Sequence, residues 1–169
     1  MRTRRADFVG RRDNLQMKIT LIAVGRLRAG PEKSLADHFM GRLTAWNVTL
    51  REVEEKRRLE GDALKRAEGE LILSALPVGA VLVALDERGK SPTSREFAKQ
   101  ISDWQDDGIA DLAFAIGGAD GLSDAVRQKA RLVMCFGAMT WPHFVVRGLV
   151  FEQLYRAQQI IAGHPYHRD

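Results

Sequence analysis

The sequence predicts an α/β fold: a mainly parallel sheet with helices on both faces. Three observations lead there. Short apolar runs of strand length (residues 18–25, 80–85 and 110–116) are apolar on both faces, as strands buried inside a parallel sheet are. Between them lie longer segments whose apolar residues recur with the helical period. The chain has 169 residues, 45% of them hydrophobic, with no internal repeat, which suits one domain large enough to bury its own core.

In chain order, residues 18–25 read as a buried strand. Residues 31–45 read as a helix, with Leu35, Phe39 and Leu43 four apart. Residues 48–53 alternate like a strand. Residues 59–76 are helical, with Leu64, Ala67, Leu71 and Ala75 on one face. A continuous apolar strand over 80–85 enters a polar loop over 86–92. Ser94 starts an amphipathic helix that buries Phe97, Ile101 and Trp104. A strand over 110–116 ends at Gly117-Gly118, and Ser123 caps a short helix reaching about residue 130. Residues 132–136 form a short strand. A long helix then runs over 142–162, stopped by Gly163 with Pro165 just beyond.

Charge is unevenly placed. Residues 1–16 hold five arginines (Arg2, Arg4, Arg5, Arg11, Arg12) against Asp7 and Asp13, leaving 21 basic and 20 acidic residues over 17–169. The first 16 residues are expected to be a disordered extension, or an early start with Met17 as the true first residue; the alternative is a basic arm that grips phosphates. Residues 17–169 are expected to form the single domain. One cysteine, Cys135, excludes an internal disulfide, and no secretory apolar region opens the chain, so a cytoplasmic protein is expected. The apolar runs are too short to span a bilayer.

In open α/β sheets, ligands bind beyond the carboxyl ends of the strands. Three such ends are unusual here: Leu85-Asp86, Gly117-Gly118-Ala119-Asp120-Gly121, and Gly137-Ala138-Met139-Thr140-Trp141-Pro142-His143. Glycines there let backbone approach a flat ligand, or merely close tight turns. The spacing matches neither a dinucleotide fingerprint nor a phosphate-binding Walker loop. His164 and His167 straddle Pro165 without a cysteine or carboxylate cluster, so no metal is expected. His143 opens the long helix, where a neutral imidazole is favoured and can act as a base or orient a ligand. Arg147 follows one turn later, suited to a surface ion pair or to neutralising an anion. Cys135, in an apolar run, reads as a core thiol. The ending combines Tyr166, His167 and Arg168, with Arg156 upstream: a stacking face, a donor and cations of the kind RNA bases and phosphates need.

Ile116-Gly117-Gly118-x-x-Gly121-Leu122-Ser123, Met139-Thr140-x-Pro142-His143-x-x-Val146-Arg147 and His164-Pro165-Tyr166-His167-Arg168 together resemble the small SPOUT methyltransferases that modify pseudouridine in bacterial large-subunit rRNA. The resemblance covers about residues 17–169. It implies a carboxyl-terminal trefoil knot, S-adenosylmethionine as methyl donor, a homodimer, and N3 of a pseudouridine in 23S rRNA of the ribosome as target. It places the donor at Leu85, Gly117, Gly118, Gly137, Ala138, Met139, Thr140, Trp141 and Pro142. Residues 1–16 have no counterpart, and Trp141 stands where the family usually has a smaller aliphatic residue.

The chemistry agrees with the residues. Methyl transfer from a sulfonium is an in-line displacement, so alignment supplies much of the catalysis and no metal is required. The imide N3 must lose its proton, for which His143, Arg147, His167 and Arg168 are the candidates. Tyr166, His167, Arg168 and Arg156 are expected to face RNA. The competing readings are a SPOUT methyltransferase acting on another RNA such as tRNA, and a non-catalytic ribosome-binding module.

Overall fold

The computed structural model describes residues 16–168. Five strands, β1 (Lys18–Val24), β2 (Asn47–Val53), β3 (Val81–Lys90), β4 (Asp111–Ile116) and β5 (Leu132–Met134), pair in the order β2-β1-β4-β3-β5, every pair parallel. The fold class read from the sequence is therefore the one observed. The expected extension lies outside the described residues save for Gln16, whose amide donates to the Thr44 carbonyl at 2.9 Å.

Strand pleat sorts the core into two layers. Ile19, Leu21 and Ala23 of β1 and Leu112, Phe114 and Ile116 of β4 face one side. Three helices cover that side: α1 (Pro31–Met40), α3 (Ser94–Asp106) and α5 (His143–Ile161). Ile22, Val24, Ala113 and Ala115 face the other, under α2 (Gly61–Ala75) and α4 (Asp124–Lys129). The wide apolar surface of α5 is largely used inside the chain, because α1 and α3 both pack on it.

Several boundaries differ from the sequence reading. Helix α3 is capped by Thr93, not Ser94: the Thr93 hydroxyl accepts from the Glu96 N–H at 3.2 Å, and the Glu96 carboxylate accepts from the Thr93 N–H at 2.7 Å. The polar stretch after Leu85 is not all loop. Strand β3 bulges and returns, so that Lys90 lies opposite Met134 and its carbonyl accepts from the Cys135 N–H at 2.8 Å. Only glycine fits at Gly89, because a Cβ there would lie 2.5 Å from Met134 backbone. Helix α2 is rotated from the expected face: Ala67, Glu68, Gly69 and Ile72 are buried, while Leu64, Leu71 and Ala75 are half-buried. The close approach of α4 causes this, since a Cβ on Gly69 would meet the Ser123 hydroxyl at 2.2 Å.

Candidate active site

With every strand parallel, all five carboxyl ends lie on one edge of the sheet. A cleft of about 240 Å³ opens there beyond β4, β3 and β5. Leu85, Ile116, Met134, Phe136 and Val146 give it apolar walls, and residues 117–121 with Gly137, Met139, Thr140 and Trp141 border it. The two glycine loops do different things. At Gly117 a Cβ would meet Gly121 backbone at 2.6 Å, so this glycine closes the turn. At Gly118, which lines the cleft, a Cβ would meet the Glu68 carboxylate of α2 at 2.9 Å, so a side chain here would collide with a buried acid. Gly137 adopts φ 98° with open space around it. The N–H groups of Gly137, Ala138, Met139 and Thr140 have no acceptor among the described residues.

His143, the first residue of α5, lines this cleft beside Phe144, ring centroids 4.2 Å apart. Burial, and then the positive charge of Arg147, push its pKa below the usual histidine value, so the neutral imidazole is favoured. Across the cleft, Arg127 of α4 donates to Asp86 of β3, next to Leu85, at 3.1 Å, to the Leu122 carbonyl and to Asp124. Arg127 thereby ties β3 to the loop after β4, both of which border the cleft.

Arg147 is placed otherwise than a surface ion pair. Its side chain is 0% exposed. One guanidinium nitrogen donates to Glu52 at 2.7 Å, another to the carbonyls of Val24 and Gly25 at 2.7 Å each. Glu52 also accepts from the Leu27 N–H at 2.7 Å. Arg147 thus joins α5 to the ends of β1 and β2, and it does not line the cleft. Burial pulls its pKa down while Glu52 opposes that shift.

The carboxyl-terminal segment docks on α5. After Gly163 (φ 70°), the His164 N–H bonds back to the Gln159 carbonyl at 2.9 Å. The Tyr166 ring meets Tyr155 edge-on at 4.8 Å, its hydroxyl donates to Glu152 at 3.3 Å, and the Arg156 guanidinium lies 5.0 Å from its ring centre. Burial and the Glu152 charge raise the Tyr166 pKa. Arg156 bonds Glu152 and approaches His167 Nδ1 at 3.3 Å. This group lies beside a second hollow of about 330 Å³, lined by Trp141, Leu149, Glu152 and Gln153 and sharing its Phe136–Gly137 wall with the first cleft.

Of the residues singled out from sequence, the structure gathers Leu85, Gly117, Gly118, Gly137, Met139, Thr140, Trp141 and His143 around one cleft. Ala138 and Pro142 belong to the same loop without lining it. Arg156, Tyr166, His167 and Arg168 lie outside the lining, and so does Arg147. Sequence reasoning missed Glu52, Glu68 and Arg127. Glu68 left a signal, an acid one residue from an apolar helical stripe; Glu52 pairs with Arg147, 95 residues on, and Arg127 with Asp86, 41 residues back. Among the described residues no group of three or more His, Cys, Asp or Glu side chains is placed to hold a metal ion, and no helix is long and apolar enough to cross a membrane.

An all-parallel sheet with a glycine-bordered cleft at its carboxyl edge and a long closing helix is found in a chain that matches a methyltransferase family. The family model described as "Predicted SPOUT methyltransferase" matches residues 17–167, and the chain belongs to that family. Its relatives include proteins named ribosomal RNA large subunit methyltransferase H. The one from Rhodospirillum centenum is 55% identical over 152 residues, covering 90% of this chain and 99% of the relative. The one from Paramagnetospirillum magneticum is 53% identical with the same coverage. Among solved structures, a putative methylase family protein from Neisseria gonorrhoeae aligns with TM-score 0.55 and 13% identity over 92% of this chain and 89% of that one, a likeness of fold.

Proposed function

We propose that this protein transfers a methyl group from S-adenosylmethionine to N3 of a pseudouridine in 23S rRNA of the large ribosomal subunit, acting in the cytoplasm on the ribosome. The observation that carries the reading is the cleft: apolar walls and acceptor-free backbone N–H groups at the carboxyl edge, in a chain whose relatives at 55% and 53% identity bear the rRNA methyltransferase name.

The residues fit the donor. Leu85, Ile116, Phe136 and Val146 offer apolar contact to a flat base, and the N–H groups of residues 137–140 offer donors to its ring nitrogens and hydroxyls. Gly117, Gly118, Trp141 and Pro142 complete the two loops that would hold it. The donor supplies a methyl on a positively charged sulfur. His143, neutral and in the cleft, is the residue placed to accept the imide proton. Arg147 orients α5, and with it His143, by gripping the β1 end. Arg156, Tyr166, His167 and Arg168 hold the RNA. The trefoil knot and a homodimer belong to the same reading; Met139 (77% exposed) and Trp141 (43%) at the mouth of the cleft and the adjoining hollow offer a second copy an apolar surface. Residues 17–169 form the catalytic domain, and the arginine-rich start is an appendage to it.

Calorimetric titration with S-adenosylmethionine tests the cleft assignment. Saturable binding, weakened by Gly137→Val, is expected. A protein that binds no donor would be the ribosome-binding module instead.

A further inference from the structure

The geometry points to a basic rim beside the cleft, formed by the loops after β1 and β2, as the surface that grips the phosphates of the RNA substrate. This inference rests on the RNA-methyltransferase reading above and adds a surface to it.

Val24 and Val53 are register partners at the ends of adjacent parallel strands, and the Gly25 N–H donates to the Val53 carbonyl at 2.8 Å. The two loops therefore leave the sheet side by side, on the same edge as the cleft. Strands are spaced about 4.8 Å apart, so β2 lies about 14 Å from β3, a span of two or three nucleotides.

Both loops are held in shape by acids that are themselves neutralised. In the first loop, Glu52 accepts from the Leu27 N–H and is paired with buried Arg147. This leaves Arg26 and Arg28 on either side of Leu27, exposed and without an ion pair among the described residues. In the second, Arg57 makes three hydrogen bonds to the Glu55 carboxylate, at 2.8, 3.0 and 2.8 Å, and holds its pKa down at about 2. Lys56 and Arg58, on either side of Arg57, are exposed and likewise unpaired among the described residues.

Residues 25–30 and 54–60 together hold five cations against three carboxylates (Glu54, Glu55, Glu60), a surplus of two. Residues 17–169 as a whole have a surplus of only one. The two loops thus carry a larger cationic surplus than the domain as a whole. Lys65, also unpaired among the described residues, lines the cleft itself and continues the positive surface from the rim to the reacting site.

The test uses the full chain and purified large ribosomal subunits. Two double variants, Arg26→Ala with Arg28→Ala and Lys56→Ala with Arg58→Ala, are compared with Lys129→Ala with Arg131→Ala, which removes two exposed charges from the opposite edge. Each rim variant should weaken subunit binding at least ten-fold at physiological salt. Each should also flatten the slope of log affinity against log salt by about 0.7–0.9 for every phosphate that the variant no longer neutralises. Donor affinity and melting temperature should stay at wild-type values, and the opposite-edge variant should bind normally. Rim variants with wild-type affinity and salt slope would overturn the proposal, as would photocrosslinks from the Lys56 loop to ribosomal protein rather than RNA. A wild-type protein that binds the subunit through this rim yet methylates nothing would instead overturn the functional reading and leave the rim standing.

Discussion

Replacing Arg147 with methionine separates a buried strut from a catalytic cation. The substitution keeps the aliphatic stem, so it opens little space, but it deletes bonds of 2.7 Å to Glu52, Val24 and Gly25. Hydrogen bonds to a charged group contribute about 1.5–3 kcal/mol each, and breaking a buried ion pair costs about 3–5 kcal/mol. The Glu52 side chain is 28% exposed and can recover water, which places the loss at the low end, about 3 kcal/mol. For a domain of this size that is a fall in melting temperature of about 6–12 °C. Thermal and urea denaturation measure it, and a double-mutant cycle with Glu52→Gln isolates the pair. Because Arg147 does not line the cleft, the folded fraction should still bind donor. A variant that melts with wild type while methylation disappears would refute this reasoning and return Arg147 to the reacting atoms.

Three further outcomes follow. Glu68 is 8% exposed, has a carboxylate oxygen without a partner among the described residues, and has its pKa raised by burial and then by Asp120 and Glu55. A raised carboxyl pKa means that stability is intact at low pH and is lost as pH rises through the folded value. Glu68→Gln should therefore melt higher than wild type at alkaline pH by about 1 kcal/mol, with the gain vanishing near the ordinary carboxylate pKa; a variant destabilised at every pH would show the charge to be needed. His143 has a lowered pKa, so the acid limb of the methylation rate should fall below the usual histidine value of about 6.5, and His143→Gln should abolish that limb and slow transfer about 10²-fold or more; an unchanged profile would exclude it as the base. Truncation after Gly163 should leave donor affinity near wild type, lower stability by about 1–2 kcal/mol because Tyr166 no longer packs on Tyr155, and reduce methylation of ribosomes by orders of magnitude; full activity would reduce the tail to packing.

The sheet was legible because β1, β4 and the first half of β3 are buried on both faces, and a continuous apolar run such as residues 80–85 has few other uses. The cleft loops were legible for the same reason, being the glycine-bearing ends of those runs. What escaped depends on pairs distant in sequence. Arg147 reads as a solvated cation until β1 and β2, about a hundred residues earlier, bring carbonyls and Glu52 to it. The need for glycine at position 118 is set by Glu68, fifty residues earlier, whose carboxylate lies where a Cβ would be. The docking of the tail escaped because Tyr155 and Glu152, the partners of Tyr166, lie on a helix that the chain must first turn back upon. The rotation of α2 likewise follows from the Gly69–Ser123 approach, which no helical period encodes.

The central claim concerns a base, a position and a donor together. Large ribosomal subunits incubated with the purified protein and S-adenosylmethionine, then digested and mapped by mass spectrometry, test all three. The expected result is one added methyl on the base of a single pseudouridine in 23S rRNA, at N3, dependent on His143 and the carboxyl-terminal residues. Methyl on a ribose, on tRNA, or on no RNA at all despite donor binding would contradict it.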